Sequence, residues 1–74
     1  MSNFIIAPEG CKWSKREAAN HKAAYSLVCS WYRPTTKTAV IDASTGETKI
    51  FTRQLDPKGN LIQIIEHIAQ EVKQ

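Results

Sequence analysis

The sequence has few of the residues that mark chemical sites. Its three glycines are isolated, so it contains no glycine-rich phosphate loop, and no G-x-S-x-G motif is present. Its cysteines and histidines lack the C-x2-C or H-x3-H spacing of zinc sites. Asp42 and Glu47 are better explained as loop flanks than as a catalytic pair. We therefore expect a protein that is not an enzyme and binds no metal, cofactor or small-molecule substrate.

Long apolar runs are also missing. The longest apolar stretches, residues 4–7 and 61–69, are far shorter than the ~20 residues that a helical bilayer span needs. The first residues do not combine a charged run with a long apolar run, as a secretory signal would. We expect no membrane span and a cytoplasmic location.

Only two cysteines are present, Cys11 and Cys29, and they could form one disulfide or remain free thiols. We favour free thiols, because isolated cysteines in reduced proteins commonly behave as small apolar residues. Cys29 lies in an apolar pattern and is expected to pack, whereas Cys11 follows Gly10 in a polar turn and is expected to be exposed.

What is present is the composition of an ordered globular chain: 74 residues, 42% hydrophobic and 23% charged. This length suits one small domain covering residues 1–74. Ten basic against seven acidic residues give a net charge of +3, which mildly favours anionic partners.

The N-terminal third predicts a short strand followed by a helix. Residues 3–7 are β-prone and are ended by Pro8 and Gly10, as an edge strand or a docked arm. Ser14 and Glu17 have the spacing of a capping box, with Trp13 placed to pack on Ala18 as a hydrophobic staple. Residues 14–25 contain strong helix formers and no glycine or proline, so we expect a helix there.

The middle of the chain predicts three strands, over residues 27–32, 37–42 and 47–53. Asp42 and Gly46 mark a hairpin loop of four or five residues between the last two strands. Because sequential strands with short connections usually pair, we expect an antiparallel meander.

The C-terminal segment predicts a helix, since Leu61, Ile65, Ile68 and Val72 follow a helical spacing. Either Asp56 or Asn60 could cap it, and we favour Asn60. The expected fold class is thus α+β: a helix, a three-stranded antiparallel meander and a C-terminal helix, with a short N-terminal strand in addition.

The faces of the predicted meander are both partly apolar. Ile50 lies between two threonines, whereas Phe51 lies between Lys49 and Arg53. Such a sheet is either covered by one helix on each face or leaves one face free for a partner.

Two candidate contact surfaces follow from the basic and aromatic residues. One is a basic group near the start of the predicted first helix, where backbone N–H groups favour anions. The other is a basic and aromatic sheet face that could enter a nucleic-acid groove. Together the predicted contact residues are Lys12, Lys15, Arg16, Lys22, Trp31, Tyr32, Arg33, Lys37, Lys49, Phe51 and Arg53.

Two family resemblances bear on this fold. From about residue 27 onward, three short strands and a helix, with the hairpin at residues 42–47, resemble the arm-site-binding domains of phage integrases and the plant AP2-type DNA-binding domain. The resemblance implies that a sheet docks in the DNA major groove. It rests on element order and one turn, so no base-contacting residue is carried over.

Over residues 13–68 the chain is similar to the short YkfF-like proteins of enterobacterial plasmids and prophages. The similarity lies in residues 14–18, in Tyr25 and Ser26, in Asp42 with Gly46, and in residues 55–57. The chain departs from them at residues 34–36 and in its isoleucine-rich final segment. The resemblance implies a mobile-element setting without implying a mechanism.

Together these features predict a small accessory protein of a phage, prophage or plasmid that binds a protein partner, including a second copy of itself. The alternative is a nucleic-acid-binding module that uses the basic sheet face.

Overall fold

The computed structural model of the chain describes residues 1–67, which form a five-stranded antiparallel sheet with one short helix. The strands follow the spatial order β2-β1-β3-β4-β5. The elements are β1 (Ser2–Pro8), β2 (Ser14–Ala18), α1 (His21–Val28), a 3-10 turn (Cys29–Trp31), β3 (Thr38–Asp42), β4 (Thr48–Leu55) and β5 (Leu61–His67). The predicted order of helix, three-stranded meander and C-terminal helix is therefore wrong.

The N-terminal strand is present, but it is an inner strand, and residues 14–18 pair with it instead of forming a helix. The turn between β1 and β2 is closed by a hydrogen bond from Cys11 N to Pro8 O (3.2 Å), with Gly10 at φ +78°. The Ser14 and Glu17 spacing is a local signal only. Pairing with β1 outweighs it and leaves Trp13 exposed, so the predicted staple is absent.

The helix begins later than predicted, at His21. Its cap is Asn20, whose side-chain oxygen accepts a hydrogen bond from Ala23 N at 2.8 Å. His21, Ala24, Tyr25 and Val28 form its buried stripe. Because this helical stripe runs through Val28, the strand predicted over residues 27–32 is wrong, and the chain continues into the 3-10 turn.

The β3–β4 hairpin lies where it was predicted. Asp42 N donates to Glu47 O at 2.8 Å, and Ile41 pairs with Thr48, so the loop has four residues. Asp42 Oδ1 accepts from Ser44 N at 2.8 Å and from Ser44 Oγ at 2.6 Å. These bonds favour the carboxylate and lower the pKa of Asp42.

The predicted C-terminal helix is wrong over residues 61–67, which form β5 against β4. Asp56 caps a turn instead of a helix, because its Oδ1 accepts from Lys58 N (2.9 Å) and Asn60 N (2.8 Å), and Gly59 adopts φ +90°. These hydrogen bonds, the one from Asn60 N foremost, lower the pKa of Asp56. The turn reverses the chain, and β-branched isoleucines then suit a strand. The remainder of the predicted helix lies outside the described residues.

The core lies between α1 and one face of the sheet. Tyr25 stacks on Phe51 with ring centroids 5.3 Å apart, and His21 meets Phe4 edge-on at 4.8 Å. The buried apolar residues are Phe4, Ile6, Ala18, Ala24, Tyr25, Val28, Cys29, Val40 and Phe51. Cys29 is thus buried and Cys11 exposed, and both are free thiols.

Candidate functional site

The two faces of the sheet differ in what covers them. Phe4, Ile6, Val40 and Phe51 project from β1, β3 and β4 towards α1 and are at most 2% exposed. We call this the covered face. One helix of eight residues supplies this cover, and it leaves the opposite side of β1, β3 and β4 uncovered.

The opposite side, the open face, carries apolar residues that none of the described elements packs against. Registers place Ile5 beside Ile41, Ala7 beside Ala39, and Ala39 beside Ile50, which forms a continuous apolar strip across β1, β3 and β4. Each of these residues is half-buried, and none belongs to the core cluster or packs onto it. The members of the open-face strip are Ile5, Ala7, Ala39, Ile41, Ile50 and, on β5, Ile65.

Polar side chains border this strip. Asn3 and Glu17 lie at the β1–β2 end, and Gln63 Nε2 donates to Gln54 Oε1 at 2.7 Å on the β4–β5 side. Thr52 Oγ1 lies 2.8 Å from His67 Nε2. An apolar centre with a polar border is the composition of a protein-binding patch.

The first predicted basic group is not brought together by the structure. Lys12 lies in the β1–β2 connection, while Lys15 and Arg16 are consecutive residues of β2 and so project to opposite faces. Only Lys22 lies in the first turn of α1. The later helix start therefore separates the residues expected at a helix N-terminus.

Of the second predicted group, the basic and aromatic sheet face, Lys49, Phe51 and Arg53 lie on the covered face. Phe51 is 1% exposed, and the Arg53 guanidinium donates to the Cys29 carbonyl oxygen. Lys49 Nζ lies 3.6 Å from Glu66 Oε2. Arg33 and Lys37 are exposed in the connection before β3. A single basic sheet face is therefore not formed by these residues.

Besides Phe51, the two other predicted aromatic contact residues have different environments. Trp31 is 66% exposed, and the Arg16 guanidinium carbon lies 5.4 Å from its ring centroid, within cation–π range. Tyr32 is half-buried against the core. Trp31 with Arg16 is thus the one predicted aromatic and basic pair that the described structure brings into contact.

A hollow of about 290 Å³ lies at the start of α1 and is lined by two lysines, a carboxylate and an imidazole. His21 is only 8% exposed, and its Nε2 donates to Glu47 O at 2.9 Å. Because a carbonyl can only accept, that nitrogen carries the proton and is not free to act as a base. The lining residues are Asn20, His21, Lys22, Lys49, Phe51 and Glu66.

The buried Tyr25 hydroxyl has no hydrogen-bond partner among the described residues. Burial raises the pKa of Tyr25, and the neighbouring Arg53 guanidinium offsets part of that rise. Tyr25 thus belongs to the core, and the neutral phenol is the form that the fold favours.

The two edges of the sheet are also unlike each other. β2 has five residues, of which Lys15, Arg16 and Glu17 are charged, and charges protect an edge from pairing with another chain. β5 has seven residues with one carboxylate, and its Leu61 and Ile62 are 53% and 56% exposed. Sequence analysis allowed for one free sheet face, but it identified neither the residues of the open-face strip nor this edge. The sequence signal for β5 was the Asp56 to Gly59 turn ahead of an isoleucine-rich run.

No protein-family model matches the chain, and no curated protein or solved structure is significantly similar to it. Across residues 1–67 there is no group of three or more His, Cys, Asp or Glu side chains arranged to hold a metal ion. Within the same residues, no helix combines the length and apolar character that crossing a bilayer requires.

Proposed function

We propose that the chain is a non-enzymatic accessory protein that acts by binding another protein through its open-face strip. The observation that supports this is the contrast between the two sides of one strand. Ile6 is 0% exposed under α1, whereas its neighbour Ile5 lies on the open face, in register with Ile41. Large contiguous apolar patches are uncommon on proteins that have no partner.

The chemistry of the open-face strip fits a protein better than a nucleic acid. Its centre consists of isoleucine and alanine side chains, which bury well against other apolar groups but neutralise no phosphate. Lys49 and Arg53, the sheet cations expected to contact DNA, project to the covered face and already have partners there. We also propose the mobile-element setting that the YkfF-like resemblance implies, together with the cytoplasmic location expected from the sequence.

The proposal is tested by photo-crosslinking from Ile41. A photo-reactive residue at Ile41 should label one protein partner, while the same residue at Leu27 should not. Leu27 is a matched control because it is 56% exposed and belongs to α1, on the other side of the sheet. With the purified partner, Ile41→Thr and Ile50→Thr together should weaken binding by about tenfold or more, whereas Leu27→Gln should not. Threonine preserves the β-branched shape of isoleucine.

Equal labelling from Ile41 and Leu27 would contradict the proposal. The competing nucleic-acid function predicts instead that duplex DNA binds at about 50 mM salt and is released steeply as salt rises. Retention of DNA that Lys15→Glu and Arg16→Glu abolish, without any protein partner, would favour that function.

A further inference from the structure

We propose that the outer edge of β5 is a second interaction surface, and that its partner is a second copy of this chain. Among residues 1–67, β5 pairs only with β4, so its other side presents unpaired backbone donors and acceptors. This surface is separate from the open-face strip, and the inference does not depend on the function proposed above.

β5 has few of the features that usually prevent edge pairing. It contains no proline and only one charged carboxylate, Glu66. Its register against β4 shifts once, between Gln54 and Leu55, where two β5 residues advance past one residue of β4. That irregularity lies before Gln63, and residues 63–67 pair regularly. Most of the strand therefore remains suitable for pairing with another strand.

The sequence of β5 and its flank is self-complementary in polarity. Residues 60–66 read polar, apolar, apolar, polar, apolar, apolar, polar in either direction, with Gln63 at the centre. In an antiparallel pair centred on Gln63, each Ile62 lies opposite Ile64 of the other copy. Across a twofold axis at Gln63, apolar residues therefore face apolar residues and Gln63 faces Gln63. This self-complementarity is why we infer that the partner is a second copy.

The side chains on the covered-face side of β5 would gain most from this pairing. Ile64 is half-buried and packs at the margin of the core, while Leu61 and Ile62 are more than half exposed. Two copies would bring Ile62 and Ile64 of each chain together across the axis, with Leu61 extending the apolar cluster. Burial of this apolar surface favours association, and the backbone hydrogen bonds fix the antiparallel orientation of the two β5 strands.

The open-face side would gain a row of amides. Gln63 Nε2 already donates to Gln54 Oε1 at 2.7 Å, and a primary amide has a second N–H and a carbonyl oxygen to spare. At the twofold axis, each Gln63 can donate its second N–H to the Gln63 oxygen of the other copy. The result is an amide row across four strands, from Gln54 of one chain to Gln54 of the other.

This symmetry also fixes the architecture. Because identical residues pair at Gln63, the twofold axis is perpendicular to the sheet, and both copies of α1 lie on the same side. The dimer is one ten-stranded sheet whose two open faces join, so dimerisation would enlarge the surface that a protein partner meets.

The register is tested by disulfide trapping in the full chain with Cys11→Ser. Residues directly opposite one another have Cα atoms about 5 Å apart, a separation that a disulfide can bridge. Under mild oxidation, Gln63→Cys should give a covalent dimer. The matched control is Gln54→Cys, an exposed glutamine that pairs with Gln63 on the same face. Two copies of residue 54 would lie three strand spacings apart, about 14 Å, which a disulfide cannot bridge.

Self-association itself is tested by sedimentation. The unmodified chain should pass from a monomeric to a dimeric mass as its concentration rises from about 1 µM to 1 mM, a range suited to weak association. Ile62→Lys should remain monomeric throughout, whereas Leu27→Lys, the same kind of change at an equally exposed position of α1, should still dimerise.

A monomeric mass at every concentration would overturn the inference. So would equal disulfide formation by Gln63→Cys and Gln54→Cys. Ile41→Thr should leave the dimer intact, and Ile62→Lys should leave the Ile41 crosslink intact. Failure of one proposal can therefore be distinguished from failure of the other.

Discussion

Replacing Ile5 and Ile6 separately by alanine tests whether only one face of the sheet is covered. The two residues are consecutive in β1, which is paired on both sides, and they project to opposite faces. Ile6 is 0% exposed beneath α1, whereas Ile5 is half-buried on the open face. The same side chain is removed from the same strand, so loss of β-propensity is common to both variants and the difference reports burial.

The expected losses in the free energy of unfolding differ by about threefold between Ile6→Ala and Ile5→Ala. A fully buried isoleucine replaced by alanine costs about 3 kcal/mol, because both transfer free energy and packing are lost. Ile5→Ala should cost about 1 kcal/mol, since that side chain keeps one side in water and loses mainly its contacts with neighbouring strands. A domain of 74 residues has a free energy of unfolding of about 4–11 kcal/mol, so both variants should still fold.

Urea unfolding followed by circular dichroism measures both losses at one protein concentration. If Ile6→Ala proves too unstable, Ile6→Val and Ile5→Val repeat the comparison, with expected costs of about 1 kcal/mol and a few tenths. Equal losses at the two positions would refute the reasoning, because they would mean that the chain itself also covers the open face.

Three further predictions follow from single contacts. Asn20→Ala should lower the free energy of unfolding by about 1 kcal/mol, through loss of the cap on Ala23 N, and thermal unfolding measures it. Tyr25→Phe should raise it by up to about 1 kcal/mol, because a buried hydroxyl without a partner is removed. Burial raises the pKa of Tyr25, so the unmodified chain should lose stability as the pH rises above about 10. Tyr25→Phe should lose less stability over the same rise in pH. The pKa of Asp56 is lowered from 3.8, so its contribution is present above that pH and is lost as pH falls through the folded value. Asp56→Asn should accordingly make acid unfolding less steep below about pH 4.

The hairpin at residues 42–47 could be predicted because its determinants are local. Asp42 bonds Ser44 through its side chain, and Gly46 adopts φ +81°, as the sequence of that loop requires. The strand at β1 was predictable for a similar reason, since a short β-branched run is bounded by proline and glycine. Both signals lie within a few residues of the structure that they specify.

The errors arose where a local signal competed with distant pairing. Ser14 and Glu17 are spaced for a helix cap, yet the strand that precedes them is free to pair with them through the Gly10 turn. The run after Asn60 fits a helical stripe and a strand almost equally, because isoleucines at residues 62, 64, 65 and 68 satisfy both periods. Only the Asp56 turn, which reverses the chain, decides between them.

These errors bear directly on function, because they concern the elements that determine which surfaces are exposed. With two helices the sheet could be covered on both sides, and the basic residues would form one face. With α1 alone, Phe51 and Arg53 are drawn beneath the helix, and Ile5, Ile41 and Ile50 are left on the open face. Converting residues 61–67 from helix to strand also turns a stripe that would have filled the core into an exposed edge. In the proposed dimer the exposed Ile62 would contribute to association, while Ile64 also packs against the core. Both proposals therefore rest on apolar residues that α1 does not cover.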